Sequence, residues 1–440
     1  MEDKALDLSN QRESFTGNEN ESYWAIVKKQ FKKNKIAVWS LRIVYLFAII
    51  AILADFLANE KPIACKYNGE VYFPVFKEYA VDLGISNWQK EFLNVSWKDL
   101  EYEWTVWPLT PYLPKNMDLD NQSVGPNDEQ DIKSLRWKHW LGTDALGHDV
   151  FAGMIHGTRI ALLVGIVSMG IAAIIGIFFG AIAGYYGDDK LKMSISSLII
   201  YIIGFITATF YAFGTRSYTL SDAIGESFST FAWELLISFI VFGAVMFVFK
   251  LISKAFKMLP ILKKEIVIPA DILISRLIEV VVSIPRLFLI ISIAAVVAKP
   301  SIFIVMMIIG LTTWTGIARF TRAELLRVRN LEYIEAANAL GYKEFRIIVK
   351  HALPNALSPV LISIAFGIAS AILIESTLSF IGVGVPAETI TWGSLLSASR
   401  QDAAAWWLAI FPGLAIFITV TIYNLIGEGL TDAMNPKLKK

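Results

Sequence analysis

Cysteine is almost missing from this chain. Cys65 is the only one in 440 residues, so no disulfide can form within it, and the thiol count says nothing about redox compartment. Charge is scarce as well. Asp, Glu, Lys and Arg make up 18% of the residues against 55% hydrophobic ones, with a mean hydropathy of +0.53. That balance excludes an ordinary soluble domain, in which about 25% of residues are charged. The dipeptide Gly-Lys does not occur, which excludes a P-loop and assigns any ATP to another subunit. H-E-x-x-H and G-x-S-x-G are also missing, removing two common hydrolase templates. His139, His148, His156 and His351 all fall in loops or at the ends of apolar runs, which argues against a hydrolase embedded in the membrane. Basic residues sit in short clusters beside apolar runs, so no nucleic-acid partner is expected.

What is abundant is apolar sequence in runs of about 20 residues, the length of a helix across a bilayer core. Backbone polar groups in lipid must be satisfied within each segment, so the runs are expected to be helices. Eight lie near 37–59, 157–184, 193–214, 231–250, 273–297, 301–319, 356–379 and 404–427. The second carries Gly165, Gly170, Gly176, Gly180 and Gly184, small residues that let helices approach closely. Lys190, Lys192, Lys250, Lys254, Lys257, Lys263, Lys264, Arg319, Arg322, Arg327, Arg329, Lys437, Lys439 and Lys440 fall on one side of the membrane. Arg216, Lys299 and Arg400 fall on the other. The positive-inside rule then places both termini in the cytoplasm. The polar tail of about 35 residues before the first run is too long and polar for a signal-peptide n-region, and no cleavable signal is expected.

Residues 1–21 are polar and expected to be disordered. From Glu21 to Lys35, Trp24, Val27 and Phe31 recur at helical spacing among lysines, the pattern of a basic amphipathic helix on an anionic membrane surface. A solvated tail with scattered apolar residues is the alternative. Residues 60–156 make a long outer segment rich in Trp, Tyr and Pro, expected to be a small ordered subdomain. Within it His139, Asp144, His148 and Asp149 could in principle ligate a metal, but they lack a fixed spacing. The reading taken is a turn held by Asp144 and Asp149 side chains on backbone N–H groups. Glu279 lies one helical turn from Arg276 and is expected to pair with it. Arg286, beside Pro285, and Glu375 could each line a pathway or join helices. Asp55 and Glu234 sit near span ends, where they can snorkel.

The longest inner loop, 320–355, holds LEYIEAANALGYKEFRIIVKHALP from Leu331 to Pro354. Glu332 to Leu340 is dense in helix formers, and Gly341 stands where a left-handed helix terminus is needed. A second short helix from Lys343 to His351 would end before Pro354, which suits the first turn of the next span. The product is a rigid elbow that can pass a push from a soluble partner to two spans.

Glu335-Ala336-Ala337, then Gly341, then His351-Ala352-Leu353-Pro354 resembles the EAA loop of ABC-importer permeases. HWLGTDALGHDV at 139–150, Gly157-Thr158-Arg159, Arg276 with Glu279 and Pro285, ESTLSFIGVG at 375–384, Trp392-Gly393 and the Trp406–Gly413 segment are similar to the oligopeptide and dipeptide branch of that family, of the second-permease type. ANEKPI, NGEVYFPVFKEY and WPLTPY in the outer segment resemble its members that also import microcin C. The resemblance covers about three-quarters of the chain. It departs at Gly147-His148-Asp149, where the family has GRD, and at 187–270, read as an inserted two-span hairpin; His351 stands where the wider family often has Ile, a departure that peptide permeases tend to share.

The resemblance implies an all-α integral membrane protein with the type I importer permease fold: six family spans plus the insertion, with a long outer loop after span 1. The expected organisation is a cytoplasmic tail and amphipathic helix at 1–36, span 1 at 37–59, the extracytoplasmic subdomain at 60–156, the permease domain at 157–428 and a cytoplasmic tail at 429–440. It further implies a non-catalytic bacterial inner-membrane subunit that pairs with a second, homologous permease. ATPase subunits, or one fused dual ATPase, would bind ATP-Mg, and an extracytoplasmic binding protein would deliver peptides; membrane lipids surround the spans. No cofactor or metal is expected in this chain. Coupling would fall to Glu335, Ala336, Ala337, Gly341, Lys343, Phe345 and Pro354. An ion-coupled secondary transporter, or an ABC importer of nickel or another small solute, remains the alternative.

Overall fold

The computed structural model describes residues 23–434 apart from 94, 227, 257–264, 297–299 and 387–388. The polar tail before residue 23, the lysines 437, 439 and 440, and Lys257, Lys263, Lys264 and Lys299 lie outside the described residues. Among the described residues seven helices are long and apolar enough to cross a membrane, and one helix pair, bent by 80°, passes the same test when taken together. The described residues form a mostly helical membrane bundle that carries two small β-sheets.

Helix α1 (Tyr23–Lys33) leads into α2 (Lys35–Ile52), whose first turn is capped by the Asn34 side chain accepting from the Ala37 N–H at 3.1 Å. Val27 of α1 is buried, and the helix packs along the C-terminal helix, α16 (Trp407–Met434). A short turn, α3 (Ala54–Leu57), opens the outer subdomain.

That subdomain is ordered, as its composition suggests, but it is not helical throughout. Strands β1 (Ala64–Tyr67), β2 (Glu70–Tyr72) and β3 (Trp104–Val106) form an antiparallel sheet in the order β2-β1-β3, with Cys65 opposite both Tyr72 and Thr105. Helix α4 (Pro74–Asp82) follows the hairpin. The aromatic residues form its core: Phe92 stacks on Trp97 with centroids 5.0 Å apart, and Trp107 meets Trp137 at 5.0 Å. Burial pushes the Cys65 thiol up to about 11, so it is a packed thiol and no reactive one.

Helix α5 (Val150–Tyr186) begins seven residues before the apolar run at 157. The reason is Asp149, whose carboxylate accepts from the Ala152 N–H at 2.6 Å and starts the helix before the apolar run. Along α5 the glycines form the seam for α11 (Ile302–Val328). A Cβ on Gly176 would lie 2.7 Å from the Trp314 carbonyl oxygen, on Gly180 2.6 Å from that of Ala318, and on Gly184 2.6 Å from that of Arg322. Gly165 meets Ile368 of α14 (Leu353–Ile381), whereas Gly170 faces open space.

The inserted segment forms α6 (Ile195–Thr209, extended by a π turn at Phe210–Gly214), α7 (Ser217–Glu226) and α8 (Phe228–Phe256). Strands β4 (Lys192–Ser194) and β5 (Glu265–Val267) pair antiparallel and close its base. Helices α6 and α8 pack chiefly on each other, with Gly204 against Phe249. Ser197 bonds to Ser253 at 2.9 Å, which satisfies two hydroxyls between the helices.

Three expectations need correction. The stretch 273–297 is not one continuous helix: α9 (Ala270–Ser283) and α10 (Arg286–Val296) meet at 80°. Pro285 lacks an N–H and drives the preceding Ile284 to extended backbone (ψ 126°), which breaks the helix. Asp55 and Glu234 do not snorkel free. Asp55 takes two bonds from Arg159, the shorter 2.7 Å, and Glu234 pairs with Arg216. The third correction concerns the elbow and is given with it below.

Candidate functional site

Two places gather the residues singled out by sequence: the elbow between α11 and α14, and a cavity at the broken span. In the elbow, α12 (Glu332–Ala339) runs into Gly341, whose φ is +74°. The Tyr342 N–H donates to the Ala337 carbonyl at 3.2 Å and the Gly341 N–H to that of Asn338 at 2.9 Å. This is a Schellman terminus, which requires a left-handed residue at 341. Glu332 and Glu335 lie in the first turn of α12, where carboxylates favour the helix dipole.

The second arm corrects the expectation of a helix stopping before Pro354. Helix α13 (Glu344–Ile347) continues through a π turn at Ile348–Ala352 straight into α14. The wider turn lets the chain pass Pro354, which has no N–H to donate, without ending the helix. One rigid rod therefore joins the elbow to its span. The arms are tied together by Asn355, whose amide donates to the Tyr333 hydroxyl at 3.1 Å and to the His351 carbonyl at 2.8 Å.

Ile334 and Ala337 from one arm and Ile347 and Ala352 from the other are buried against Tyr185, Leu325 and Val328. The remaining coupling candidates face outward: Glu335, Ala336, Gly341, Lys343, Phe345 and Pro354 are exposed, Phe345 at 77%. Leu340, at 73%, is a neighbouring exposed apolar residue that the motif did not mark. Ala337 therefore packs inward while Glu335 and Ala336 are free for a partner. Below the elbow Arg322 bonds to Asp271 at 2.7 Å and so joins α11 to the start of α9.

The intramembrane candidates separate. Arg276 pairs with Glu279 at 2.7 Å on an exposed face of α9. Glu375 is buried at 1% exposure and accepts from Ser379 at 2.6 Å and Ser376 at 3.4 Å, so it sits inside this chain's own packing. Arg286 lines a cavity of about 390 Å³ at the break between α9 and α10, together with Thr312, Thr315 and Thr377. The structure thus does not bring Arg286 and Glu375 together.

Outside the membrane the histidine–aspartate cluster divides into two pairs. His148 Nδ1 lies 2.8 Å from Asp144, whose carboxylate also accepts from the Leu146 and His148 N–H groups. His139, fully buried, lies between Asp149 at 2.8 Å and Asp118 at 3.1 Å, with Tyr112 stacked on it at 4.2 Å. Burial raises the Asp118 and Asp144 carboxyls, but the hydrogen bonds and charge of His139 with Asn121 and the Asp120 N–H at Asp118, and those of His148 with the Leu146 N–H at Asp144, together outweigh it and hold both below the usual range. Asp118 escaped the sequence reading because nothing local links it to a histidine 21 residues on.

The spans, the projecting elbow and the small mixed subdomain define a class: a multi-pass membrane permease subunit. Residues 266–440 match the family model for the inner membrane component of binding-protein-dependent transport systems, and 22–70 match that for the N-terminal membrane domain of oligopeptide transport permease C. The first match starts within β5, where the inserted hairpin rejoins the bundle. The inner membrane ABC transporter permease protein YejE of Escherichia coli is 27% identical over 95% of this chain and 97% of its own length. The peptidoglycan transport system permease YejE of Agrobacterium fabrum is 25% identical over 93% and 92%. The dipeptide transport permease DppC of Alkalihalophilus pseudofirmus is 27% identical over 95% and 91%. The chain belongs to the oligopeptide and dipeptide permeases of ABC importers.

Proposed function

We propose that this subunit carries peptides inward as one half of a permease pair, its partner a second, homologous permease. Separate ATPase subunits, or one fused dual ATPase, bind ATP-Mg and dock on the elbow; a binding protein delivers cargo at the opposite face. Both termini lie in the cytoplasm, on the elbow's side, in keeping with the lysine and arginine distribution. The chain does no covalent chemistry and needs no cofactor of its own. Its share is conformational: closure of the ATPases pushes on Glu335, Ala336, Leu340 and Phe345, and the rod at 344–381 carries the displacement into the bundle. Exposed Phe345 on a hairpin whose inner face is locked by Ile334 and Ile347 is the observation that carries this reading.

The peptide cargo follows from the relatives, whose names specify dipeptide and peptidoglycan transport. The break at Pro285 is the one feature shared with ion-coupled transporters, which place broken helices at their substrate sites. A gentle-detergent pull-down separates the two. Recovery of a second permease and an ATPase is the expected result, with the ATPase alone lost on Phe345→Asp. A chain recovered alone that still takes up peptide without ATP would overturn the proposal.

A further inference from the structure

Five arginines of the described bundle are paired with a carboxylate. Arg159 meets Asp55, Arg216 meets Glu234, Arg276 meets Glu279, Arg322 meets Asp271 and Arg327 meets Glu324. Arg286 has no hydrogen bond or ion pair among the described residues, although its position is deep. Helix α9 spans 14 residues before the break, which at 1.5 Å per residue is about 21 Å from its start at the elbow end. A guanidinium at such depth is costly unless an anion or water meets it.

Its surroundings suit an anion. The cavity beside it is otherwise walled mainly by Val, Ile and Leu side chains, and Thr315, itself 2% exposed, lines it with a hydroxyl that has no partner among the described residues. Thr312 and Thr377, also on the wall, already donate to carbonyls of their own helices, at 2.9 Å and 2.7 Å. The free hydroxyl is therefore that of Thr315. Helix α10 begins at Arg286, so its unpaired first-turn N–H groups and the positive end of its dipole adjoin the same space.

We propose that the cavity at the α9–α10 break is a carboxylate station on the translocation path, in which Arg286 supplies the charge and Thr315 a hydrogen bond to the C-terminal carboxylate of the cargo. This rests on the peptide-import reading. The α-carboxylate is the one anion that every unmodified linear peptide carries, so the station holds cargo independently of its side chains. Arg286 is an exposed residue on the cavity wall, within reach of a cargo that enters it.

The test uses the whole complex in proteoliposomes, with trialanine and its C-terminal amide as probes. The binding protein's affinity for each is measured separately, so that its own preference divides out. Wild type is expected to favour the free acid, and Arg286→Gln to cut that preference about tenfold, or about 1.4 kcal/mol. Arg286→Lys is expected to retain part of it, and Thr315→Val, which keeps shape and removes only the hydroxyl, to lower it less. Equal loss for acid and amide would assign Arg286 to packing, to a lipid phosphate or to an acidic residue of the second permease, and would overturn the station. Unchanged preference in both Arg286→Gln and Thr315→Val would overturn it too. If wild type imports neither probe, the peptide reading itself fails and the station falls with it.

Discussion

Replacing Gly341 isolates the elbow's rigidity from its contact surface. A Cβ at 341 would meet nothing within 4 Å, so an alanine there touches no neighbour and acts only through its φ of +74°. For an L-residue the left-handed region costs about 1–2 kcal/mol, a factor of roughly 5–30 in the population of the intact terminus. Asparagine tolerates this region and is expected to restore most of the loss. Proline does three kinds of damage. It holds φ near −65°. It removes the N–H that donates to Asn338 at 2.9 Å. It also disfavours the helical backbone of Leu340, at φ −74° and ψ −1°. Its cost is about 3 kcal/mol or more. In proteoliposomes of the full complex, peptide moved per ATP hydrolysed should fall in the order Gly, Asn, Ala, Pro, with membrane insertion unchanged. An Asn variant as defective as the Ala variant would refute a conformational role for this residue. A Pro variant with wild-type coupling would refute the elbow as a lever.

Two further outcomes follow from packing and charge. Gly180→Ala places a methyl 2.6 Å from the Ala318 carbonyl and should cost about 1–3 kcal/mol, lowering the thermal midpoint in detergent, whereas Gly170→Ala meets nothing within 4 Å and should raise or leave it, by up to about 1 kcal/mol. Asp118 and Asp144 have depressed folded-state pKa values, so their contribution to the outer subdomain is complete above the unfolded carboxylate value of about 3.9 and is lost as pH falls through the folded values; acid titration of tryptophan fluorescence should show that loss, and Asp118→Asn with Asp144→Asn should flatten it.

Much of this protein is written locally. Apolar runs of bilayer length find the long helices, because in lipid a helix must satisfy its backbone by itself, although helices such as Ile302–Val328 and Trp407–Met434 continue well past their runs. The terminus at Gly341 is local too, since a left-handed residue after a helix needs only its own sequence neighbours. The Arg276–Glu279 pair follows from helical spacing alone. Local patterns misled where a neighbour in sequence was only half the story: Asp149 drew α5 back beyond its apolar run, and the π turn carried a helix past Pro354.

The tertiary structure alone decided what depends on partners distant in the chain. Asp55 waits for Arg159, 104 residues on, and Asp118 for His139, 21 residues on; neither separation leaves a periodic trace. Glu375 and Arg286 are equivalent as charges in apolar sequence, yet one is enclosed by serines of its own helix and the other is left without a partner beside a cavity. Hydropathy records how much apolar surface a segment carries. Which side chains that surface encloses is set by the crossing of helices, and the 80° turn at Pro285 is where that crossing opens the cavity.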